Sequence, residues 1–227
     1  MRVTRVFPRS ISTTLLALFL AGCSGPVSAV TQRYAPTDQT LPAGAQQRWD
    51  FDAIPDGGLP DGVEVVSGSW GVQPQADAPS PPKALCQSAN ARWPVLLLSN
   101  DVYTDLDLSV RFKPISGRED QAGGLVFRAQ DGGTYLLTRA NALEDNVRLY
   151  TMRDDNRREI AGENRPVASG VWHELAVEVR GDRIRVRYDG EWVIDHQDPT
   201  FSAGRIGLWT KADSVTCFDD VVATVPS

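Results

Sequence analysis

From Trp49 onward, short runs of alternating apolar and polar residues are punctuated by Gly, Asp and Asn about every 8 to 14 positions. A side-chain period of two belongs to strands, where successive Cβ atoms point to opposite faces, and no long stretch carries the 3.6-residue period of a helix. The pattern therefore predicts an all-β sandwich of antiparallel sheets. The clearest strands cover residues 106–113, 124–129, 134–140, 147–152, 173–179, 183–188, 191–195, 205–210 and 216–223. Asp131-Gly132-Gly133, Gly181-Asp182 and Asp189-Gly190 are hairpin turn signals, so at least three antiparallel pairs follow. In one such pair His173, Leu175, Val177 and Val179 share a face with the prospective core, as do Ile184, Val186 and Tyr188. Glu178 and the row Arg183, Arg185 and Arg187 lie on the wet side, where they read as solvated cross-strand pairs.

The first residues follow a different rule. Arg2, Arg5 and Arg9 precede an apolar run over residues 11–21 that ends in Leu20-Ala21-Gly22-Cys23. This run is too short to cross a bilayer, which takes about 20 apolar residues, and has the length of a secretory h-region. Small residues directly before a cysteine resemble the bacterial lipobox, which makes residues 1–22 a lipoprotein signal peptide and Cys23 the lipidated mature N-terminus. An ordinary cleaved signal with a chance cysteine is the alternative. Multiple acyl chains give stable anchoring, and Ser24 after the cysteine resembles the sorting pattern for the outer membrane of a Gram-negative envelope. Residues 23–47, rich in Ser, Pro, Thr, Ala and Gln, read as a flexible tether, and 48–227 as the sandwich domain.

Charge narrows the partners. The formal charge of −6 becomes 20 − 29 = −9 once the three arginines of residues 1–22 are removed, which leaves no basic excess for nucleic acid and places membrane attachment on lipid alone. An apolar share of 41% is too high for a disordered chain, and two histidines and three cysteines leave little for a zinc centre.

Four stretches carry a family likeness: residues 109–117 (SVRFKPISG), 121–128 (QAGGLVFR), 139–150 (RANALEDNVRLY) and 207–215 (GLWTKADSV). In order and across residues 49–223 they resemble bacterial secreted domains of the concanavalin A-like lectin/glucanase superfamily, near the 3-keto-disaccharide hydrolase-like and laminin G-like domains. The resemblance implies a jelly roll of two packed antiparallel sheets, with a concave face that in relatives often holds sugar. Such a fold hosts lectins, hydrolases and inert modules alike.

A sugar face combines aromatic planes with forked polar groups at alternate strand positions. Arg128, Tyr135, Arg139, Asn146, Arg148, Trp209 and Lys211 stand at such positions, and Asn141 belongs to the polar connection 141–146. If the arginines, Trp209 and Lys211 converge, they form a cationic cleft suited to an anionic glycan such as a uronate polymer. If they lie on different faces, they only solubilise the sheet. The connection Asn141-Ala142-Leu143-Glu144-Asp145-Asn146 could line a ligand mouth, coordinate Ca²⁺ through oxygen ligands, or simply cap its own turn. A second place for Ca²⁺ joins Asp50 and Asp52 at the domain start to Asp219 and Asp220 at its end.

Three roles stay open: carbohydrate binding, a glycan-active enzyme resembling the 3-keto-disaccharide hydrolases, and a non-catalytic envelope module. The Glu-x-Asp-x-x-Glu arrangement of related glucanases is not found, and Glu144 and Asp145 are the weak catalytic candidates. His173 reads as a satisfied core histidine and His196 as a solvated one. With Cys23 used for lipid, Cys86 and Cys217 remain as a candidate disulfide in an oxidising envelope, or as two free thiols.

Overall fold

The computed structural model describes residues 41–227, and these form an all-β sandwich. The signal peptide, Cys23 and most of the tether lie outside the described residues. The strands are β1 (Gln46–Trp49), β2 (Glu64–Ser67), β3 (Trp70–Pro74), β4 (Lys83–Gln87), β5 (Val95–Leu97), β6 (Leu106–Ser116), β7 (Ala122–Ala129), β8 (Tyr135–Asn141) and β9 (Asn146–Arg153). They continue as β10 (Asn156–Asn164), β11 (His173–Arg180), β12 (Arg183–Tyr188), β13 (Glu191–Gln197), β14 (Arg205–Trp209) and β15 (Val215–Thr224).

One sheet has eight strands, in the order β13-β12-β11-β6-β15-β4-β3, with β1 also paired to β15. The other has seven, in the order β10-β9-β8-β7-β14-β5-β2. The main core joins the two inner faces: Leu108, Val110, Phe112, Val177, Val186 and Phe218 from the first, and Leu96, Leu125, Phe127, Leu136, Leu149 and Leu208 from the second. Alternation places these residues inside. In β6 the burial pattern switches with every residue from Leu106 to Pro114, leaving Asp107, Ser109, Arg111 and Lys113 on the wet side. Removing one of the fully buried aromatic side chains, Phe112 or Phe218, would cost on the order of 3–5 kcal/mol.

All nine predicted strands are present, and the three turn signals join β7 to β8, β11 to β12 and β12 to β13. Glu178 faces Arg185 in register and pairs with it at 3.6 Å, while Arg187 meets Glu174 at 3.1 Å, the solvated cross-strand pairing expected of this face. Cys86 and Cys217 are register partners on β4 and β15 and are bonded as a disulfide across 131 residues of chain. His173 is buried, with Nδ1 against Asp189 at 2.7 Å and Nε2 against the Ala168 carbonyl at 2.9 Å.

Candidate functional site

The seven-stranded sheet has a second packed layer on the side away from the main core. Register sets Tyr135 beside Met152, Leu137 beside Tyr150, Arg139 beside Arg148 and Asn141 beside Asn146 on β8 and β9, while β14 and β7 bring Trp209 opposite Gly124. Because side chains alternate, all of these stand on one face. Val95, Leu97, Val126, Tyr135, Leu137, Met152 and Trp209 form its apolar half, with Trp93 stacked on Trp209 at a centroid distance of 5.7 Å.

The polar half gathers at the β8–β9 hairpin. Arg139 is 2% exposed, and its guanidinium donates to the Asn146 side-chain oxygen, to Glu144 Oε2 at 2.6 Å and to the Tyr150 hydroxyl at 2.9 Å. Asn146 Nδ2 donates to the same Glu144 oxygen at 3.3 Å. Asn141, fully buried, donates to Asp120 Oδ1 at 2.6 Å and accepts from the Leu143 amide. The other Asp120 oxygen meets Lys211 Nζ at 2.5 Å. Partial burial works to raise the Glu144 pKa. The Arg139 charge, hydrogen bonds from Arg139 and Asn146, and the Lys211 charge outweigh it and hold the carboxyl below its ordinary value. Two carboxylates, one guanidinium and one ammonium, linked by amides, thus stand beside a phenol at one end of the sheet. The Glu144 side chain, at 43% exposure, is the open member of the group.

Arg148 and Arg157 extend this face. Arg148 pairs with Glu159 at 3.2 Å and reaches across β10 to the Glu163 carbonyl and the Asn164 side chain. Gly162 makes that path possible, since a Cβ there would lie 2.2 Å from Arg148 Cδ. The Arg157 guanidinium lies 4.4 Å from the Tyr150 ring centroid, 4.7 Å from that of Trp93 and 5.8 Å from that of Trp209. Such a cation over several π faces is a favourable arrangement.

The structure thus brings together Arg139, Asn141, Glu144, Asn146, Arg148 and Lys211. It corrects the expectation for several others. Tyr135 and Trp209 share the face but are completely buried, so their rings are packing surface and not a stacking plane; burial also pushes the Tyr135 hydroxyl pKa up. Arg128 leaves the face because β7 bulges against β14 between Arg205 and Gly207 and Arg128 itself takes φ 50°. Its guanidinium instead binds the carbonyls of Phe201, Thr104 and Gly181 at the end of the sandwich. Asp145 is part of the turn, with φ 48°; its carbonyl accepts from Arg165 N–H and its carboxylate from Val167 N–H. Arg139, Arg148 and Lys211 each have a carboxylate partner, so the face is no bare cationic cleft.

The Ca²⁺ expectations do not fit the donors. Asp219 accepts from the Ser80 and Asp220 amides, Asp220 binds Arg48 and the Ser80 hydroxyl, Asp52 accepts from the Lys83 amide, and Asp50 is exposed. Among the described residues no group of three or more His, Cys, Asp or Glu side chains is placed to hold a metal ion. Four residues of the face escape sequence reasoning as site residues: Trp93, Asp120, Tyr150 and Arg157. Asp120 and Trp93 fall between strands, and Arg157 falls on a strand whose alternation is broken; only Tyr150 carried a signal, its period-two spacing from Arg148 and Asn146.

A protein-family model described as a 3-keto-alpha-glucoside-1,2-lyase-like domain matches residues 84–222. The chain is 27% identical over 168 residues to the levanase of Bacillus subtilis (strain 168), a match that covers 70% of this chain and 22% of the levanase. Among solved structures, the carbohydrate binding module CBM66 from Bacillus subtilis superposes with a TM-score of 0.63 at 24% identity, covering 72% of this chain and 95% of that one. A Bacillus subtilis protein with a galectin-like fold gives 0.55 at 14% identity, covering 72% and 89%. An apo Crh5 transglycosylase gives 0.54 at 14% identity, covering 85% and 90%. These likenesses establish the jelly-roll fold, of the kind that both carbohydrate-binding and glycosidase-like domains use. Because the family model spans more than half of its length, the chain belongs to the 3-keto-alpha-glucoside-1,2-lyase-like domain family.

Proposed function

We propose that the domain binds carbohydrate on the outer face of the seven-stranded sheet, where Glu144 and Lys211 are the reachable members of a cluster held from beneath by the buried Arg139, Asn146, Asp120, Asn141 and Tyr150. One observation carries this reading. A charged and amide network, largely withdrawn from water, sits on a face that the main core does not need, and forked groups of this kind match vicinal hydroxyls in donor and acceptor geometry. The module and levanase likenesses point to the same ligand class. Because the cations of the cluster are paired with carboxylates, the charge balance favours a neutral sugar over a uronate; Arg157 and Arg92, which lie over aromatic rings and among the described residues form no salt bridge, are features that support an anionic group.

The same reading places the domain on a lipid anchor at Cys23, held off an outer-membrane surface by a tether that ends before β1, since Gln46 and Gln47, expected in the tether, belong to that strand. The lipobox order of residues 11–23 supports it. Metabolic labelling with a fatty-acid analogue tests it: label in the wild type and none in Cys23→Ala is the expected result.

A glycan array probed with the full chain, with levan among the neutral polymers, tests the binding reading. Glu144→Gln, which keeps the shape and removes the charge, should weaken the leading hit, and so should Lys211→Met. Silence on every glycan, or unaltered binding in both variants, refutes it. Family membership and the ionised, half-open Glu144 support a second reading, in which that carboxylate takes a proton from a bound keto-glycoside. Turnover of 3-keto-glycosides that is lost in Glu144→Gln would establish it, and no turnover by the wild type would remove it.

A further inference from the structure

A groove of about 330 Å³ crosses the outer face of the eight-stranded sheet, on the opposite side of the sandwich from the cluster described above. Register explains its floor. Arg187, Ala176, Ser109 and Val222 follow one another across β12, β11, β6 and β15, so three small side chains sit in a line where larger ones would fill the space. Two residues along the strands, Arg185, Glu178, Asp107 and Thr224 form a parallel charged and hydroxylated row that walls it. Three inter-strand steps of about 4.8 Å make the floor about 14 Å long, enough for a short oligomer lying across the strands.

At one end stands Trp192 on β13, 48% exposed, the register partner of Arg187. The Arg185 guanidinium lies 3.7 Å from its ring centroid and holds the indole in place. A large aromatic group left this open and fixed by a cation is costly to water and ready for a ligand's apolar face. The charges around it are matched: Arg185 with Glu178, Arg187 with Glu174 and Arg180 with Asp107 at 2.8 Å. A charged ligand would have to break one of these pairs.

The chemistry excludes other occupants. Strands β11, β6 and β15 are hydrogen-bonded on both sides, so no peptide can add as a further strand here. Leu108 and Val177 also line the groove but their side chains belong to the core beneath it; apart from Trp192, Ala176 and Val222, the outward side chains are hydroxyls, carboxylates and a guanidinium, which suits neither an acyl chain nor an apolar helix. We propose that this groove is a second glycan site, which takes a neutral oligosaccharide laid across the strands with one ring against Trp192 and its hydroxyls toward Asp107, Ser109 and Thr224. It shares no residue with the first face and stands or falls independently of it.

Affinity electrophoresis and calorimetry of the full chain, in a detergent without a sugar headgroup, test the proposal. The ligands are neutral polymers: β-1,3-glucan, xylan, cellulose oligosaccharides and levan. All variants are read in a Glu144→Gln background, so that the other face is weakened. Trp192→Ala should bind at least about tenfold more weakly, the loss expected for one aromatic–sugar contact. Ala176→Phe, which fills the floor, should do the same, with circular dichroism and the melting temperature showing that it folds. Neutral-glycan affinity that survives both substitutions, or no neutral glycan bound in the Glu144→Gln background, overturns the proposal. In the second case, binding by the wild type alone leaves the first face standing by itself.

Discussion

Asp219→Asn should flatten the pH dependence of stability on the acidic side. Asp219 is completely buried on β15, and its carboxylate accepts the Ser80 amide at 2.9 Å and the Asp220 amide at 2.8 Å. Burial is the strongest influence on it; against the pull of those two amides, burial together with the Asp220 and Asp52 charges pushes its pKa from 3.8 up to about 6. Between these values the folded chain holds a proton that the unfolded chain has released. Its contribution is therefore whole below pH 3.8 and is lost as the pH rises through about 6. A shift of about two units is worth on the order of 3 kcal/mol. Guanidinium denaturation of wild type and Asp219→Asn from about pH 3.5 to 7.5, with a chelator present, isolates the group, because every other titration is common to both proteins. The wild type should lose about 3 kcal/mol relative to the variant across that range. A difference between the two proteins that stays constant to within about 0.5 kcal/mol would refute the assignment of a protonated, buried carboxyl to this strand.

Replacing both Cys86 and Cys217 by Ala opens a loop of 131 residues and should lower stability by about 5 kcal/mol in the chain-entropy account, read as a shift in the denaturation midpoint. Arg128→Met strands the carbonyls of Phe201, Thr104 and Gly181; it should cost about 2–4 kcal/mol and leave glycan affinity unchanged once folded, a pairing that calorimetry and melting curves separate. Gly204→Ala would set a Cβ 2.3 Å from the Arg128 carbonyl carbon, so its melting temperature should fall by several degrees, about 2–4 °C per kcal/mol for a domain of this size. Glycan binding that depends on ionised Glu144 should persist at pH 4.5 and fade only at lower pH, because Arg139 and Asn146 favour the charged form; loss of binding already well above pH 4.5 would contradict this.

The strands that alternate cleanly were readable because one face meets the core and the other meets water: β12 shows its wet and buried residues in strict turn, and β11 does so except at Ala176, a small side chain buried on the outer face. Strands β1 to β5 are three to five residues long and offer too few alternations to register a period. Strand β10 is a polar edge whose register shifts between Glu159 and Ala161, which erases its period. The candidate site was legible as far as strand parity reaches, since Arg139, Asn141, Asn146 and Arg148 needed only to be counted. Parity fails at bulges, as Arg128 shows, and it says nothing of cover: Trp209 points outward from the main core yet lies beneath Trp93 and Arg157. Asp120 belongs to no period, and the fold alone carries it to Asn141 and Lys211.

Strand β1 lies against the end of β15, with Gln46 opposite Thr224 and Trp49 opposite Val221. The polypeptide therefore enters and leaves the sandwich at neighbouring points, like both leads of a socket. A unit wired this way can be spliced into a longer protein, or permuted, without redrawing its sheets. The stretch of the levanase that matches this chain makes up 22% of that enzyme.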